Sequence, residues 1–133
     1  MNQGPIRENA MSQFHQPSQL AALGRTWVEA WNTRDVERVL RLYDDATVMT
    51  SDLIPKMGFD ASGTVRGKDD LRAYWSKALA LLPELHFSLI DVFVSPDSVV
   101  VFYQNERGKK ICEYLRVNDA GLIVQGSAHH LPH

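Results

Sequence analysis

Two hydrophobic periodicities follow one another along this chain, and their order constrains the fold more than any other feature. Between Leu20 and Leu82 apolar side chains recur at steps of three and four residues, interrupted by the single β-branched run ATVMTS. From Leu85 onward the period changes to two or to continuous apolar runs. Helices followed by short-linked strands, which pair antiparallel, predict an α+β fold in which a curved antiparallel sheet wraps on three helices.

The helical part of the sequence divides into three helices. The first has Ser18 as its N-cap and ends near Asn32, and Thr33 or Asp35 caps the second. The third is GKDDLRAYWSKALALLP, in which the final proline stops the helix. Their inner stripes are Leu20, Leu23, Trp27 and Trp31, then Val36, Val39, Leu40 and Tyr43, then Leu71, Tyr74, Trp75, Ala78, Leu79 and Leu82.

Four strands make up the second part. They are LHFSLIDVFV, SVVVFYQ, KICEYLRV and GLIVQGSAHH, separated by the turn sequences SPD, NERGK and NDAG. Residues 52–63 contain proline and glycine without a clear period, so they predict a loop that forms a lid or a rim.

Composition excludes several classes of protein. With 133 residues, 14 basic and 16 acidic side chains, the chain has no charge surplus for a nucleic-acid partner. No apolar stretch is long enough to span a membrane. One cysteine, Cys112, cannot form an internal disulfide, which favours a cytoplasmic location. We expect an arm or disordered segment over residues 1–17, without the apolar core of a signal peptide, and a single domain over 18–133.

The order of elements resembles a known superfamily. WNTRDVERVLRLYDDATV, VRGKDDLRAYW and NDAGLIVQGSA are similar to segments of nuclear transport factor 2-like proteins, within them the SnoaL-like and ketosteroid-isomerase-like branch. The resemblance covers about residues 20–130 and implies a cone-shaped sheet whose open end is a pocket. It implies no particular reaction, because this fold supports isomerases, cyclases, dehydratases and binding modules.

The steroid-isomerase mechanism does not carry over to this sequence. Where those isomerases have an oxyanion-donating tyrosine on the first helix, this sequence has Trp27, and at the position of the general-base aspartate it has Thr50. A threonine hydroxyl cannot shuttle protons between carbons near neutral pH. SnoaL-like cyclases use a histidine and an aspartate on the last strand, where this sequence has Gly126 and Ala128.

One cavity carboxylic acid of the isomerases has a counterpart in Glu113. Alternation in KICEYLRV places Glu113 on one face with Ile111 and Leu115, and desolvation among such neighbours predicts a raised pKa. Glu113 is therefore the candidate acid or base. An alternative leaves it at the mouth, paired with a basic residue or in a dimer contact. His130 shares the inward face of the last strand with Gly126 and is the second catalytic candidate, unless the chain end is frayed.

The ligand-binding candidates are mostly aromatic. Trp27, Trp75 and Phe102 would hold the rings of a small hydrophobic carbonyl or polycyclic ligand, and Gln104, expected inward with Phe102, would orient a polar substituent. The full candidate set is Trp27, Tyr43, Thr50, Trp75, Phe102, Gln104 and Gly126.

A rival interpretation makes the protein a non-catalytic dimeric module with a filled cone. Residues predicted on the convex sheet face, namely Cys112, Tyr114, Ile123, Gln125 and Ser127, are apolar or uncharged and predict a homodimer through that face. No cofactor is expected. His129, His130 and His133 do not predict a metal site, because adjacent strand residues point to opposite faces.

Overall fold

The computed structural model describes residues 15–132 and contains four helices and six strands. The predicted N-terminal arm lies largely outside the described residues, as does His133. The helices are α1 (Pro17–Asn32), α2 (Val36–Leu40), α3 (Leu53–Lys56) and α4 (Lys68–Leu81). The strands are β1 (Tyr43–Thr50), β2 (Thr64–Arg66), β3 (Ser88–Val94), β4 (Ser98–Gln104), β5 (Lys110–Val117) and β6 (Ile123–His130).

All six strands form one sheet in the order β2-β1-β6-β5-β4-β3. The predicted α+β fold with a curved sheet is confirmed, and the three expected helices are α1, α2 and α4. Three features depart from the prediction. β1 pairs with β6 in parallel, whereas only antiparallel pairs were predicted. The segment predicted to be a loop contains the short helix α3. The edge strand β2, which directly follows that loop, was also not predicted.

The junction between α1 and α2 fixes the helices against the sheet. Arg34 adopts a positive φ of 62°, and Asp35 caps α2 by accepting a hydrogen bond of 3.0 Å from the backbone N–H of Glu37. The Asn32 side chain donates to the carbonyl of Phe87 at 2.9 Å and accepts from its N–H at 2.8 Å. The end of α1 is thereby attached to the chain entering β3.

Helix α1 lies directly on the inner face of β3 and β4. A Cβ atom at Gly24 would lie 3.0 Å from Val92 and 3.3 Å from both Val99 and Val101. Only a residue without a side chain permits this close approach. The space between α1 and the sheet is therefore narrow at Gly24. The open space inside the cone lies toward the other end of α1.

Strand alternation shows which residues face the helices. On β4 and β5 the residues that alternate to the buried face are Tyr103, Val101 and Val99, then Ile111, Glu113, Leu115 and Val117, and Ser98 at the start of β4 is buried as well. Ile123 is fully buried, although simple alternation along β6 predicted it on the convex face. The reason is a bulge in the pairing of β5 with β6 at Arg116 and Val117, which shifts the register there. Tyr43, predicted as the last inner residue of the second helix, belongs to β1 instead. Within residues 15–132 no helix is long and apolar enough to cross a membrane.

Candidate functional site

A cavity of about 910 Å³ opens between the inner face of the sheet and the helices. Its deep part is lined by aromatic and apolar side chains, and its mouth by α3, the turn between β4 and β5, and the end of β6. The deep lining includes Trp27, Trp31, Trp75, Phe87, Tyr103 and Glu113. A volume of this size is in the range that holds drug-sized ligands. The cone is thus open rather than filled by its own side chains.

Glu113 is the acidic residue in the depth of this cavity. It lies in the middle of β5, paired with Val101 on β4 and Ala128 on β6, and it is 3% exposed. The Tyr103 hydroxyl donates to Oε1 of Glu113 over 3.4 Å, a long hydrogen bond. Burial raises the pKa of Glu113 to about 8, although the Tyr103 hydroxyl opposes the rise by stabilising the carboxylate. Glu113 thus lies on the inner face of β5, where the alternation of KICEYLRV places it, and its role in catalysis or ligand binding stays a prediction.

The pKa values of three tyrosines, Tyr43, Tyr74 and Tyr103, are coupled to the charge of this carboxyl group, and Tyr103 contacts it directly. Burial raises the pKa of Tyr74 to about 12 and the pKa values of Tyr43 and Tyr103 further above their ordinary value. A negative charge on Glu113 adds to all three shifts. At neutral pH the carboxyl and the three phenols are therefore mainly protonated, and the depth of the cavity is polar but uncharged.

Aromatic rings form the wall of the cavity beside Glu113. Phe87 stacks on Trp27 at a centroid distance of 5.7 Å, with an interplanar angle of 19°, and lies 4.3 Å from Tyr103. Trp31 and Trp75 meet edge to face at 5.0 Å. Such a wall offers flat, polarisable surface to a ring system. Trp27 and Trp75, both predicted at the pocket, do line it.

Tyr43 lies behind this wall rather than at its surface. It is 1% exposed, and its hydroxyl accepts a hydrogen bond of 2.9 Å from the indole N–H of Trp27. The Trp27 donor is therefore engaged within the protein and does not face Glu113. Gly126 is also buried behind the cavity, because a Cβ atom there would lie 3.3 Å from the sulfur of Met49.

The predicted orientation of β4 is wrong by one residue. Phe102 pairs with Cys112 and Gln104 with Lys110, so both lie on the outer face of the sheet, whereas Tyr103 and Val101 face inward. SVVVFYQ is apolar on both faces, and alternation alone could not choose between them. The hairpin register could have decided between the two faces. If NERGK is taken as the turn, Val101 pairs with Glu113, and Tyr103 then lies on the cavity face.

Thr50 is likewise on the outer face. It is exposed and lies 3.5 Å from the Thr64 hydroxyl of the neighbouring strand β2. The buried residues of β1 are Tyr43, Thr47 and Met49, and Ser51 just after the strand is buried as well. Met49 and Ser51 line the cavity. Irregular pairing between Tyr43 and Val48 makes the strand parity unreadable from sequence.

His130 lies at the mouth of the cavity. Its Nε2 atom is 3.4 Å from Oδ1 of Asp52, next to α3, and it pairs with Ile111 rather than with Glu113. His130 and Glu113, the two residues predicted to be catalytic, thus line one cavity, with His130 at its mouth and Glu113 in its depth. Among residues 15–132 no group of three His, Cys, Asp or Glu side chains is arranged to hold a metal ion.

Two buried polar atoms near the core have no hydrogen-bond partner within the described part of the chain. They are Nε1 of Trp31 and Oγ1 of Thr47. Trp31 lines the cavity, while Thr47 is fully buried on β1. An unpaired buried donor or hydroxyl costs about 1–3 kcal/mol, so each is a local source of strain in the folded state.

The curved sheet, the helices on its inner face and the cavity between them define a nuclear transport factor 2-like protein. The sequence model of the SnoaL-like domain matches residues 25–125, and the chain belongs to this family. No curated protein sequence matches the chain.

Solved structures agree with this assignment. A SnoaL-like protein of unknown function from Burkholderia thailandensis E264 is similar, at 30% identity with a TM-score of 0.82, over 89% of this chain and 99% of that one. TerC, co-crystallized with polyporic acid, is 16% identical with a TM-score of 0.71 over 85% and 92% of the two chains. A cystatin-like protein of unknown function from Methylobium petroleophilum PM1 is 14% identical, with a TM-score of 0.70 over 90% and 80%.

Proposed function

We propose that this protein binds a small hydrophobic carbonyl or polycyclic compound in the cone, with Glu113 as the residue that contacts its polar group. The observation that carries the proposal is the Glu113 carboxyl group, 3% exposed, in the aromatic-lined depth of a cavity of about 910 Å³. TerC, which has a similar fold, was co-crystallized with polyporic acid, and this adds support at the level of the fold.

The raised pKa of Glu113, about 8, decides which chemistry it offers. Near neutral pH the protonated carboxyl donates a hydrogen bond to a carbonyl or enol oxygen of the ligand. If the ligand carries an acidic C–H next to that carbonyl, the same group transfers a proton as general acid or base, since a pKa close to the working pH suits both roles. An isomerisation, cyclisation or dehydration without a metal is the reaction class in keeping with these residues.

The rival, a non-catalytic interaction module, needs a cone filled by its own side chains. The volume of the cavity argues against it. A dimer through the outer face of the sheet remains compatible with ligand binding, because that face and the cavity lie on opposite sides of the same strands.

The direct test is to identify what the native protein carries. Protein purified from its own host is extracted with organic solvent, and the extract is compared by mass spectrometry with that of Glu113→Gln. We expect an aromatic or polycyclic carbonyl compound that is enriched with the native protein and depleted at least several-fold in the variant. Glu29→Gln, which alters an exposed acid on α1, is the matched control and retains the compound.

Binding of the identified compound is then measured by quenching of the tryptophans in the cavity wall. Loss of affinity in Glu113→Gln with Glu29→Gln unchanged supports the proposal. Equal affinity of all three proteins, or an extract without any enriched compound, contradicts it.

A further inference from the structure

The mouth of the cavity differs in charge from its depth. Four basic residues line it, namely Lys56, Arg107, Lys109 and Lys110. Lys56 contacts Asp52 at 3.3 Å, and Nε of Arg107 contacts Glu106 at 3.6 Å. No carboxylate of residues 15–132 lies within ion-pair distance of Lys109 or Lys110. Lys109 belongs to the turn itself, whereas Lys110, paired with Gln104, has the orientation of the outer sheet face and lines the cavity at its rim. The rim of the mouth therefore carries two positive charges that the described part of the chain does not neutralise.

Both lysines are presented by an ordered turn. Oδ1 of Asn105 accepts hydrogen bonds from the backbone N–H groups of Arg107 and Lys109, each at 3.0 Å. The backbone N–H of Asn105 donates to the carbonyl of Lys109 at 2.9 Å, and Gly108 completes the turn with a φ of 77°. The positions of the lysine backbones are thus fixed relative to β5, which carries Glu113 into the depth of the cavity.

This arrangement discriminates between positions for a charged group on the ligand. In the depth, an anion would lose its hydration among apolar rings and would face no lysine or arginine, which strongly disfavours it there. At the mouth the same anion keeps part of its hydration and lies close to two cations. A neutral Glu113 below it exerts no repulsion at neutral pH.

We propose that the ligand is amphipathic, with its ring system in the cone and one carboxylate or other compact anion at the mouth beside Lys109 and Lys110. This inference rests on the proposed function and adds to it the charge and the orientation of the ligand. It selects aromatic or polycyclic acids over neutral polycyclic compounds of the same size.

A matched pair of fluorescent probes tests the inference. N-phenyl-1-naphthylamine is neutral, and 8-anilinonaphthalene-1-sulfonate has the same ring skeleton with one sulfonate. Each exposed ion pair contributes up to about 1 kcal/mol, so we expect the anionic probe to bind roughly five- to tenfold more tightly at low salt. Raising the ionic strength from 20 to 300 mM weakens only the anionic probe, because salt screens exposed charges.

Variants locate the effect. Lys109→Gln combined with Lys110→Gln is expected to remove most of the preference for the anionic probe and to change the affinity of the neutral probe less than twofold. Arg38→Gln, an exposed cation on α2 away from the cavity, keeps the preference. Ala128→Trp fills the cavity beside Glu113 and is expected to abolish binding of both probes, with folding checked by circular dichroism.

The outcomes separate this inference from the proposed function. Equal affinities for the two probes, or a preference that survives the double lysine substitution, overturn the anionic mouth and leave the hydrophobic site standing. Anionic binding that persists in folded Ala128→Trp places the anion outside the cavity and also overturns the inference. If neither probe binds at up to about 100 μM while the protein is folded, the proposed function fails as well.

Discussion

The indole N–H of Trp27 donates a 2.9 Å hydrogen bond to the hydroxyl of Tyr43, and this buried pair joins the cavity wall on α1 to the first residue of β1. Trp27 occupies the position at which the resemblance to steroid isomerases places a catalytic donor. Here the donor is satisfied within the protein, so the Trp27 N–H group is not free to donate to a group in the cavity. The pair is a structural contact that shapes the site.

Breaking this pair should destabilise the fold. Tyr43→Phe leaves the Trp27 N–H without an acceptor in a buried place, and we expect it to lower the free energy of unfolding by about 1–3 kcal/mol. Trp27→Phe leaves the Tyr43 hydroxyl unpaired and opens a gap as well, so its cost should be larger. The double variant should cost less than the sum of the two.

Urea unfolding followed by circular dichroism measures these effects. Tyr114→Phe, at a half-exposed position on the outer sheet face, is the control and should change the stability by less than about 0.5 kcal/mol. Strict additivity of the Trp27 and Tyr43 substitutions would show that the hydrogen bond does not couple them.

Glu113 makes stability depend on pH in a defined window. Its ordinary pKa of 4.5 applies to the unfolded chain, and burial raises the pKa to about 8 in the folded protein. Between these values the folded state keeps a proton that the unfolded state has released, so raising the pH favours unfolding. The slope is at most about 1.4 kcal/mol per pH unit, and the loss is complete above the folded pKa.

Glu113→Gln removes this titration. We expect the variant to resemble the wild type near pH 4.5 and to be the more stable of the two by several kcal/mol near pH 9. Thermal melts across this range provide the measurement, with Glu29→Gln following the wild-type curve. Parallel curves for wild type and Glu113→Gln would mean that the pKa of Glu113 is not raised.

Tyr103 and Gln104 are neighbours in sequence with opposite orientations, and this contrast is testable. Tyr103→Phe removes the hydroxyl that stabilises the Glu113 carboxylate, so the pKa of Glu113 should rise further. Gln104→Ala, on the outer face, should leave that pKa unchanged. Titration of the ¹³C-labelled glutamate side chains by NMR distinguishes the two, and a lower pKa in Tyr103→Phe would contradict the assigned contact.

The sequence allowed the fold to be predicted because its two periodicities occupy separate parts of the chain. It also allowed Glu113 to be placed, since KICEYLRV alternates cleanly and β5 has no irregularity at that residue. Phe102 and Gln104 were misplaced because β4 is apolar on both faces, and Ile123 because a bulge offsets β6. Pairing across strands carries this information, and a strand-by-strand reading omits it.

Some features depend on contacts that no local pattern contains. The parallel pairing of β1 with β6 joins segments from opposite ends of the chain, and β2 has three residues, which is too short for a periodic signal. The mouth of the cavity combines α3, the turn between β4 and β5, and the end of β6. Its basic character could be recognised once the fold had brought these segments together.

The outer face of the sheet leads to a final prediction, which concerns assembly. One cross-strand row runs from Phe93 through Val100 and Tyr114 to Ser127, and Phe93 at its end is 56% exposed. Phe102 and Cys112 form an adjacent pair on the same face. An exposed apolar patch on β-strands is characteristic of a protein interface. We therefore still expect a homodimer through this face, with Ile123 removed from it and Phe93, Val100 and Phe102 added.

Phe93→Glu tests this arrangement by placing a charge within the expected contact. We expect light scattering coupled to size exclusion to give a dimer for the wild type and a monomer for Phe93→Glu, because an unpaired charge in an apolar interface costs several kcal/mol. Leu81→Glu is the matched control: Leu81 is 59% exposed at the end of α4, away from the outer sheet face, and its replacement should leave the dimer intact. A wild-type protein that remains monomeric at high micromolar concentration would refute the predicted dimer, and loss of the dimer in both variants would place the interface elsewhere.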